Sequence, residues 1–600
     1  MTRAYAAPFV TPAAPPNPFP VEKAASLEDK LKLAAKWVLS DFDAYYSQSR
    51  KIPDLAKQAF ENRDHATTVA LSKKRLLMYS DHINALGPQV KHAFPQLSTD
   101  ERLPSQLESA YLPLIQGRYE ADQALAYLHS VIRKVSQGEW RPVDYSFGEA
   151  AVPQNSVTSP VYQRFPITGP INQESFIKFL TIVDLKPPFK TLQEDAYLCA
   201  QRINQVLSRT EGLAASLKSV DIIKAGFFRN RGMYLVGRMN FRDQTLPLVI
   251  ALLNDMQGMI YVDAVLHTEA DAHNLFSSTL ASFHVTNSRY HELADFMHSI
   301  MPHRPMGLHY STLGFHHIGK VAVMNELKAE FERTGEVFDT AVGSQGTVAM
   351  GFAAANSAYN LKVIRDKPTE QYKWGEFSGI DAVLDKYRQV HEINRTGSMM
   401  DNVIFYNLRL HKSLFAPRLL RQLLMQAGRS VVLKGSFVVF KHLIAQLKIT
   451  PIPVFLETAS QEDAETAMVN MGFTIKNNAA ANIFNKDLDA RNYGVSFFLK
   501  VFLFDYDAIE PLTEVKARTN VDMIDGEEDV PDWFFEDGVV FLPEEIESGL
   551  LLSQRNLRRR FREVHGDLLT VEYWESIQDL LREGRVPPIQ TYPLERRIRP

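Results

Sequence analysis

The sequence holds one cysteine, Cys199, among 600 residues. That count excludes a disulfide within the chain and a zinc site built on thiolates. Cys199 sits in a helical pattern beside Tyr197, Leu198 and Ala200, which assigns it to packing. Apolar runs long enough for a membrane span are also missing. The most apolar stretch, Leu246 to Val262, is interrupted by Pro247, Asn254 and Asp255, so it reads as a buried strand or helix. Net charge is only −4, which gives the chain no overall pull toward nucleic acid or anionic membrane. The one basic cluster, Arg558-Arg559-Arg560, lies in a charged helical stretch and reads as a solvated face. Six prolines between Pro8 and Pro20 break up the first residues, so no signal-peptide core forms and residues 1–20 read as a disordered leader. These absences together lead us to expect a cytoplasmic protein.

What is present is ordinary globular composition, 45% hydrophobic and 10% aromatic, on a chain too long for one core. From Ser26, which with Asp29 forms an N-cap pair, apolar residues recur at helical spacing to about Lys134. A Pro/Ser/Gly-rich loop is expected over residues 138–169, and helix over 173–217. Strand texture with Gly232 as a turn marks residues 222–266, and helix returns over 272–333. The first domain is thus a mainly helical unit, 21–330, carrying a small sheet. The second, 331–600, reads as loop, strand ending at Ile364, helix near 380–393, strands at 431–433 and 437–440, and an aromatic strand at 497–504. No internal repeat is evident.

The chemistry points to the second domain. Asp487 is followed five residues on by Asn492, and Asp505 ends the apolar run Val501-Phe502-Leu503-Phe504. Protein kinases use this spacing: an Asp at the nucleophile hydroxyl, an Asn on magnesium, then a strand delivering a second metal-binding Asp. Two carboxylates and an amide suit magnesium, a hard oxygen-seeking cation. Asp507 is a secondary ligand candidate. Lys362 stands inside an apolar strand pattern, and upstream Gly343-Ser344-Gln345-Gly346 would let backbone approach phosphates. Each feature has a simpler reading: polar loop residues, an edge-strand lysine with its head in water, a plain turn. The order loop, Lys, Asp, Asn, Asp is nevertheless the kinase order. His-Arg-Asp, Asp-Phe-Gly and the full G-x-G-x-x-G loop are absent, so the residues alone leave a kinase-like site and a coincidence both open.

Several ordered segments resemble the isocitrate dehydrogenase kinase/phosphatase family. They include Tyr234-Leu235-Val236-Gly237-Arg238, Ser299-Ile300-Met301-Pro302, Leu361-Lys362-Val363-Ile364-Arg365-Asp366, Ala479 to Phe484, Asn492-Tyr493-Gly494-Val495, Phe504-Asp505-Tyr506-Asp507 and His565-Gly566-Asp567-Leu568. The likeness covers residues 227–592, and the first 200 match loosely. It implies an α+β fold: a bilobal protein-kinase-like C-terminal domain after a mainly helical regulatory domain. It also implies one site that phosphorylates a serine of isocitrate dehydrogenase and removes that phosphate, using ATP (also ADP) and Mg2+. That balance sets flux between the citric acid cycle and the glyoxylate bypass. AMP is an implied allosteric effector, and a homodimer is an assembly left open.

Carried over residue by residue, the resemblance makes Asp487, Asp401 and Lys362 catalytic, with Asp401 tied to phosphate removal. Nucleotide falls to Ala341, Val342, Gly343, Ser344, Gln345, Gly346, Thr347 and Lys362, and metal to Asn492 and Asp505. There are departures. The loop lacks the family's proline and arginine, the hinge Glu-Arg-Arg is Gln446-Leu447-Lys448, and Arg491 replaces a lysine. A second reading is therefore a degenerate paralogue that binds nucleotide or isocitrate dehydrogenase without turnover. A third, an ordinary serine/threonine kinase, is disfavoured by the missing kinase signatures. Six histidines between His291 and His317 show no metal-binding spacing and read as structural. The acidic run 522–537, with Trp533, Phe534 and Phe535, reads as a solvated loop or a substrate-docking one.

Overall fold

Ser26 caps the first helix as expected: its Oγ accepts from the Asp29 amide at 3.1 Å. The structure, a computed structural model, describes residues 19–136, 160–210, 212–276, 283–341, 346–370, 377–506, 508–520, 537–550 and 554–599. The expected leader lies almost wholly outside them, as do Val342 to Gln345, Asp507 and nearly all of the acidic run.

Five helices follow the cap: α1 (Leu27–Ser49), α2 (Ile52–Glu61), α3 (His65–Ala93), α4 (Leu103–Ile115) and α5 (Ala121–Val135). The apolar stripes of α1, α3, α4 and α5 close one core around Trp37, Phe42, Leu86, Tyr111 and Tyr127, while Ile52, Ala56 and Phe60 of α2 pack into a second core with the strands that follow. Each such residue contributes about 1.5–3 kcal/mol on burial. Next come β1 (Tyr162–Pro166), α6 (Gln173–Leu180), α7 (Leu192–Ser208), α8 (Leu213–Ser216), β2 (Ser219–Ile223), β3 (Phe227–Arg229), β4 (Gly232–Asn240), β5 (Thr245–Asn254) and β6 (Ile260–Leu266). Then follow α9 (Glu269–Leu275), β7 (His284–Val285), α10 (Tyr290–Ile300), α11 (Met306–Thr312) and α12 (His316–Thr334). Cys199 is buried in α7, as expected of a packing residue.

The expected sheet is present: β1 to β7 form one seven-stranded sheet. Two expectations for this half need correction. The presumed loop contains β1, which pairs with β2 and is fixed by Arg164 Nε donating to Asp221 at 2.7 Å across the register. That partner is distant in sequence, so local pattern gave no cue. The helix expected over 173–217 is three helices: α6 ends at Leu180, α7 begins at Leu192 with Pro187 and Pro188 in the connection between them, and α8 follows from Leu213. The apolar stretch after Leu246 is strand β5. It tolerates Pro247 because that residue pairs with Arg238 on β4, while pairing with β6 starts only at Val249.

The second half opens with β8 (Asp339–Thr340), β9 (Ala349–Ala353), β10 (Tyr359–Ile364), α13 (Ile380–Ile393), β11 (Val403–His411), α14 (Pro417–Gln426), β12 (Val431–Lys434) and β13 (Phe437–Leu447). These strands form an antiparallel sheet in the order β11-β13-β10-β9-β8, with β12 on β13. Strand β11 was not anticipated. Asn407, at φ 51°, interrupts its alternation, and the register passes from Tyr406 opposite His442 to Leu408 opposite Phe440. A second lobe follows: β14 (Thr450–Pro451), α15 (Ile452–Thr458), α16 (Gln461–Ala480), β15 (Phe484–Asn485), β16 (Tyr493–Val495), β17 (Val501–Leu503), β18 (Ile509–Glu510), β19 (Val515–Ala517), β20 (Val539–Phe541), α17 (Ile546–Gly549), α18 (Arg555–His565) and α19 (Val571–Arg582). The aromatic strand is shorter than expected, since Leu499 at φ 60° turns the chain just before β17. Arg558 to Arg560 are exposed on α18, a solvated face. The fold is α+β with a bilobal, kinase-like C-terminal part.

Helices α11 and α12 join the halves and cross with almost no gap. A Cβ on Gly319 would lie 2.7 Å from the Gly307 carbonyl oxygen. Gly319→Ala should therefore destabilise the protein by about 1–3 kcal/mol, read as a lower urea midpoint. Burial also depresses several fully buried histidines: His284 to about 3, His442 and His565 to about 4. Each is neutral when folded and protonates near pH 6.5 when unfolded. Stability is thus complete above pH 6.5 and should drain away as pH falls toward 4. Urea midpoints at pH 7.5, 6 and 5 should decrease in that order, and His442→Gln should reduce the slope.

Candidate active site

Lys362 occupies an interior strand: on β10 it faces Gly351 of β9 and Ile444 of β13. The edge-strand reading is thereby excluded. Leu361 and Val363 on either side are buried, so their packing fixes the backbone while the lysine leaves by the opposite face. Its Nζ lies 5.3 Å from the centre of the Phe504 ring, one residue before Asp505. The cation therefore spans from the sheet of the first lobe to the end of β17 in the second.

Of the predicted nucleotide loop, only Ala341, Gly346 and Thr347 are described. One end is tied to the sheet and the other to the segment after β10. The Ala341 amide donates to Gly351 O at 3.1 Å, and Thr369 N donates to Thr347 O at 2.9 Å. Gly346 O accepts from Arg365 Nε at 3.3 Å, and a Cβ on Gly346 would meet Ala349 O at 2.8 Å. Glycine is required there by close backbone approach. The Arg365 anchor was not singled out from sequence, although it directly follows the lysine strand.

Asp487 and Asn492 belong to one tight loop. The Asp487 carbonyl accepts from Asn492 Nδ2 at 3.0 Å, from Asn485 Nδ2 at 2.8 Å and from the Asp489 amide at 2.8 Å. Arg491 is turned outward into a fork with the Asp489 carboxylate, Nε to Oδ1 2.9 Å. The Asn492 amide nitrogen is spent on Asp487, which directs its Oδ1 elsewhere as an oxygen donor. Asn492 immediately precedes β16, which pairs with β17, and Phe504 N donates to Asn492 O at 3.0 Å. Asn492 and Asp505 therefore sit side by side at the feet of one hairpin. Asp505 is exposed. An amide oxygen beside a carboxylate suits a hard divalent cation that completes its shell with phosphate and water. Among the described residues no three His, Cys, Asp or Glu side chains gather into a metal site, the histidines 291–317 included.

Asp401 approaches from the other edge of β17. Leu503 N donates to Ser398 O at 3.0 Å and Met400 N to Leu503 O at 2.9 Å, so residues 398–400 run along that strand. The Asp401 carboxylate is 5% exposed rather than a solvated loop group. Its Oδ1 accepts from Asn394 Nδ2 at 3.2 Å, and it lines a cavity with Leu308, Tyr359, Met400, Gln446 and Phe502. Tyr506 O–H donates to Met400 O at 2.5 Å, and Gln446 Nε2 donates to Asn402 Oδ1 at 2.6 Å. The departed hinge residue Gln446 is thus built into the support of Asp401. In the sequence Gln446 stood out only as a departure from the family and Tyr506 only as part of a family-like segment, neither as a support.

Two family models cover almost the whole chain. Isocitrate dehydrogenase kinase/phosphatase (AceK), regulatory domain, matches residues 35–335. The kinase domain of the same family matches residues 336–594. A relative in Rhodopseudomonas palustris strain HaA2, named isocitrate dehydrogenase kinase/phosphatase, is 48% identical over 95% of this chain and 94% of its own. One of the same name in Anaeromyxobacter sp. strain Fw109-5 is 30% identical over 96% and 99%. Isocitrate dehydrogenase kinase/phosphatase 2 of Pseudoalteromonas translucida is 27% identical over 94% and 98%. No helix among the described residues is long and apolar enough to cross a membrane. The kinase-like lobes, the Lys362–Asn492–Asp505 geometry and these matches agree: the chain belongs to the isocitrate dehydrogenase kinase/phosphatase family.

Proposed function

We propose that this protein phosphorylates a serine of isocitrate dehydrogenase and hydrolyses the resulting phosphoserine at one site, with ATP and Mg2+. Through those two reactions it would set flux between the citric acid cycle and the glyoxylate bypass, in the cytoplasm. The observation that carries this reading is the hairpin base: Asn492 and Asp505 adjacent, with Lys362 over Phe504. In this reading residues 21–330 regulate and 331–600 catalyse.

Lys362 neutralises the phosphates of ATP, and Ala341, Gly346 and Thr347 are the described members of the segment assigned to nucleotide binding. Asn492 and Asp505 would hold the magnesium, which supplies charge neutralisation at the phosphates. Asp487 orients the substrate serine: its Oγ forms the bond to the γ-phosphorus as the bond to ADP breaks, and the hydroxyl proton passes to the Asp487 carboxylate. Phosphoryl transfer needs positioning and charge neutralisation more than covalent chemistry. In the reverse task Asp401 or Asp487, with Asp401 favoured, positions a water. Its oxygen bonds to phosphorus as the bond to the serine oxygen breaks, a proton of the water passes to that carboxylate and from there to the departing serine oxygen, and inorganic phosphate is released.

The effector AMP would need a cationic seat, and the joint between the halves offers one. His316, His317 and Lys320 of α12 converge with Arg133 of α5 and Arg388 of α13. His316 Nδ1 and His317 Nε2 are buried without a partner. Burial, then Arg133 and Arg388, bring the Lys320 ammonium down to about 7. A bound phosphate dianion would relieve that repulsion.

The decisive assay is incubation with isocitrate dehydrogenase and labelled ATP, then a chase for phosphate release. Lys362→Ala should abolish kinase activity in a folded protein, and Asp505→Ala should abolish magnesium-dependent turnover. Full activity in either variant overturns its assignment, and a wild-type protein that binds nucleotide without turnover is a degenerate paralogue. Lys320→Met should remove the response to AMP while basal kinase rate stays unchanged. An unaltered AMP titration would remove the effector from that seat.

A further inference from the structure

One loop of the N-terminal half reaches the C-terminal site at two places. It joins α10 to α11 and is tightened by Arg304 N donating to Met301 O at 3.0 Å. Its two middle side chains, His303 and Arg304, point at different parts of the catalytic apparatus.

His303 meets the tip of the β16–β17 hairpin. Its ring stacks on Phe497 at 5.6 Å with an 18° tilt, and the neighbouring Phe498 packs on His273 of α9 at 4.5 Å. Glu269 ties the two histidines together. Its carboxylate accepts from His303 N at 2.9 Å, lies 2.9 Å from His303 Nδ1 and 3.5 Å from His273 Nε2. The strands beneath this tip are three residues each. A ribbon that short has little stability of its own, so what grips its tip governs how its feet are held. Those feet are Asn492 and Asp505.

Arg304 turns inward instead and is 3% exposed. Its guanidinium donates to Thr312 Oγ1 at 2.9 Å and to Leu308 O at 3.5 Å. Leu308 and Asp401 line the same cavity. Burial lowers the guanidinium to about 10, and the Asp401 charge works against that lowering. A buried carboxylate requires a compensating charge, and the Arg304 cation, bonded to Leu308 of the cavity wall, attracts the Asp401 carboxylate.

We propose that His303 and Arg304 are positioning residues for the two opposed reactions: His303, with Glu269 and His273, holds the metal-bearing hairpin, and Arg304 holds Asp401. Because the residues are consecutive, a shift of the α10–α11 loop alters both supports at once and changes the ratio of phosphorylation to phosphate release. The loop is thus a mechanical route by which the regulatory half biases the site. The inference rests on the shared-site reading above.

The test measures both activities, and the magnesium dependence of the kinase, in the full-length protein with isocitrate dehydrogenase and its phosphorylated form. Arg304→Gln should lower phosphate release about tenfold or more with kinase kcat little changed, and Arg304→Lys should recover most of the loss. Phe498→Ala and His303→Ala should raise the magnesium concentration needed for half-maximal kinase rate about tenfold, with Phe498→Leu milder. Thermal melting by circular dichroism identifies misfolded variants, for which the conservative partner decides. Arg304→Gln losing both activities equally, or neither, overturns the proposal, as does an unchanged magnesium dependence in both tip variants. Asp401→Asn in the same assay separates the failures. If it loses phosphate release while Arg304→Gln does not, only the positioning role falls. If Asp401→Asn retains release, the shared-site assignment itself falls and takes the role of Arg304 with it.

Discussion

Strand β17 is three residues long, and the candidate site depends on its backbone hydrogen bonds. On one edge it pairs with β16 and so with Asn492; on the other it pairs with residues 398–400 and so with Asp401. Its end delivers Phe504 beneath Lys362, then Asp505. Val501, Phe502 and Leu503 are all buried, so the strand cannot slide without exposing apolar surface. Four polar groups far apart in sequence are thereby indexed to one short stretch of backbone. A one-residue slip would turn every side chain of β17 to the opposite face and part the two metal-ligand candidates.

The joint between the halves has a different character. Cationic and imidazole groups crowd around α12, and their preferred protonation states shift downward because burial disfavours charge. Groups held that way cost stability, and they persist in a region where α11 and α12 already touch at Gly307 and Gly319. The closeness of those helices makes the joint stiff, and in the proposed reading a bound anion would act on the buried cationic groups beside it.

Much of the second half could be read from pattern. The helix over 380–393 coincides with α13, because its apolar residues Val383, Leu384, Tyr387 and Val390 recur at helical spacing and all face the core. Strand β10 was legible because apolar residues flank a lone lysine, and Ser26 was legible as a cap because its mechanism is local. What failed was non-local. Strand β1 pairs with β2 and is fixed by Arg164 on Asp221, and β11 carries a left-handed asparagine that spoils its alternation. At the site, Lys362, Asp487, Asn492 and Asp505 were chosen from chain order. Nothing in that order reveals Phe504 as the lysine's platform, Gln446 and Tyr506 as supports of Asp401, or Arg365 as the anchor of the glycine loop.

By itself the sequence determined which residue types stand at kinase spacing, which segments are helical, that no disulfide can form within the chain, and the family resemblance. Those are properties of local periodicity, composition and residue order. Only the tertiary structure decided that Asp401 is buried rather than solvated, that Lys362 lies on an interior strand, and that His303 and Arg304 of the first half reach the hairpin and the cavity of the second. Such facts depend on which distant segments meet, and that is settled by burial of whole faces and by hydrogen-bond partners hundreds of residues away, to which no local pattern is sensitive.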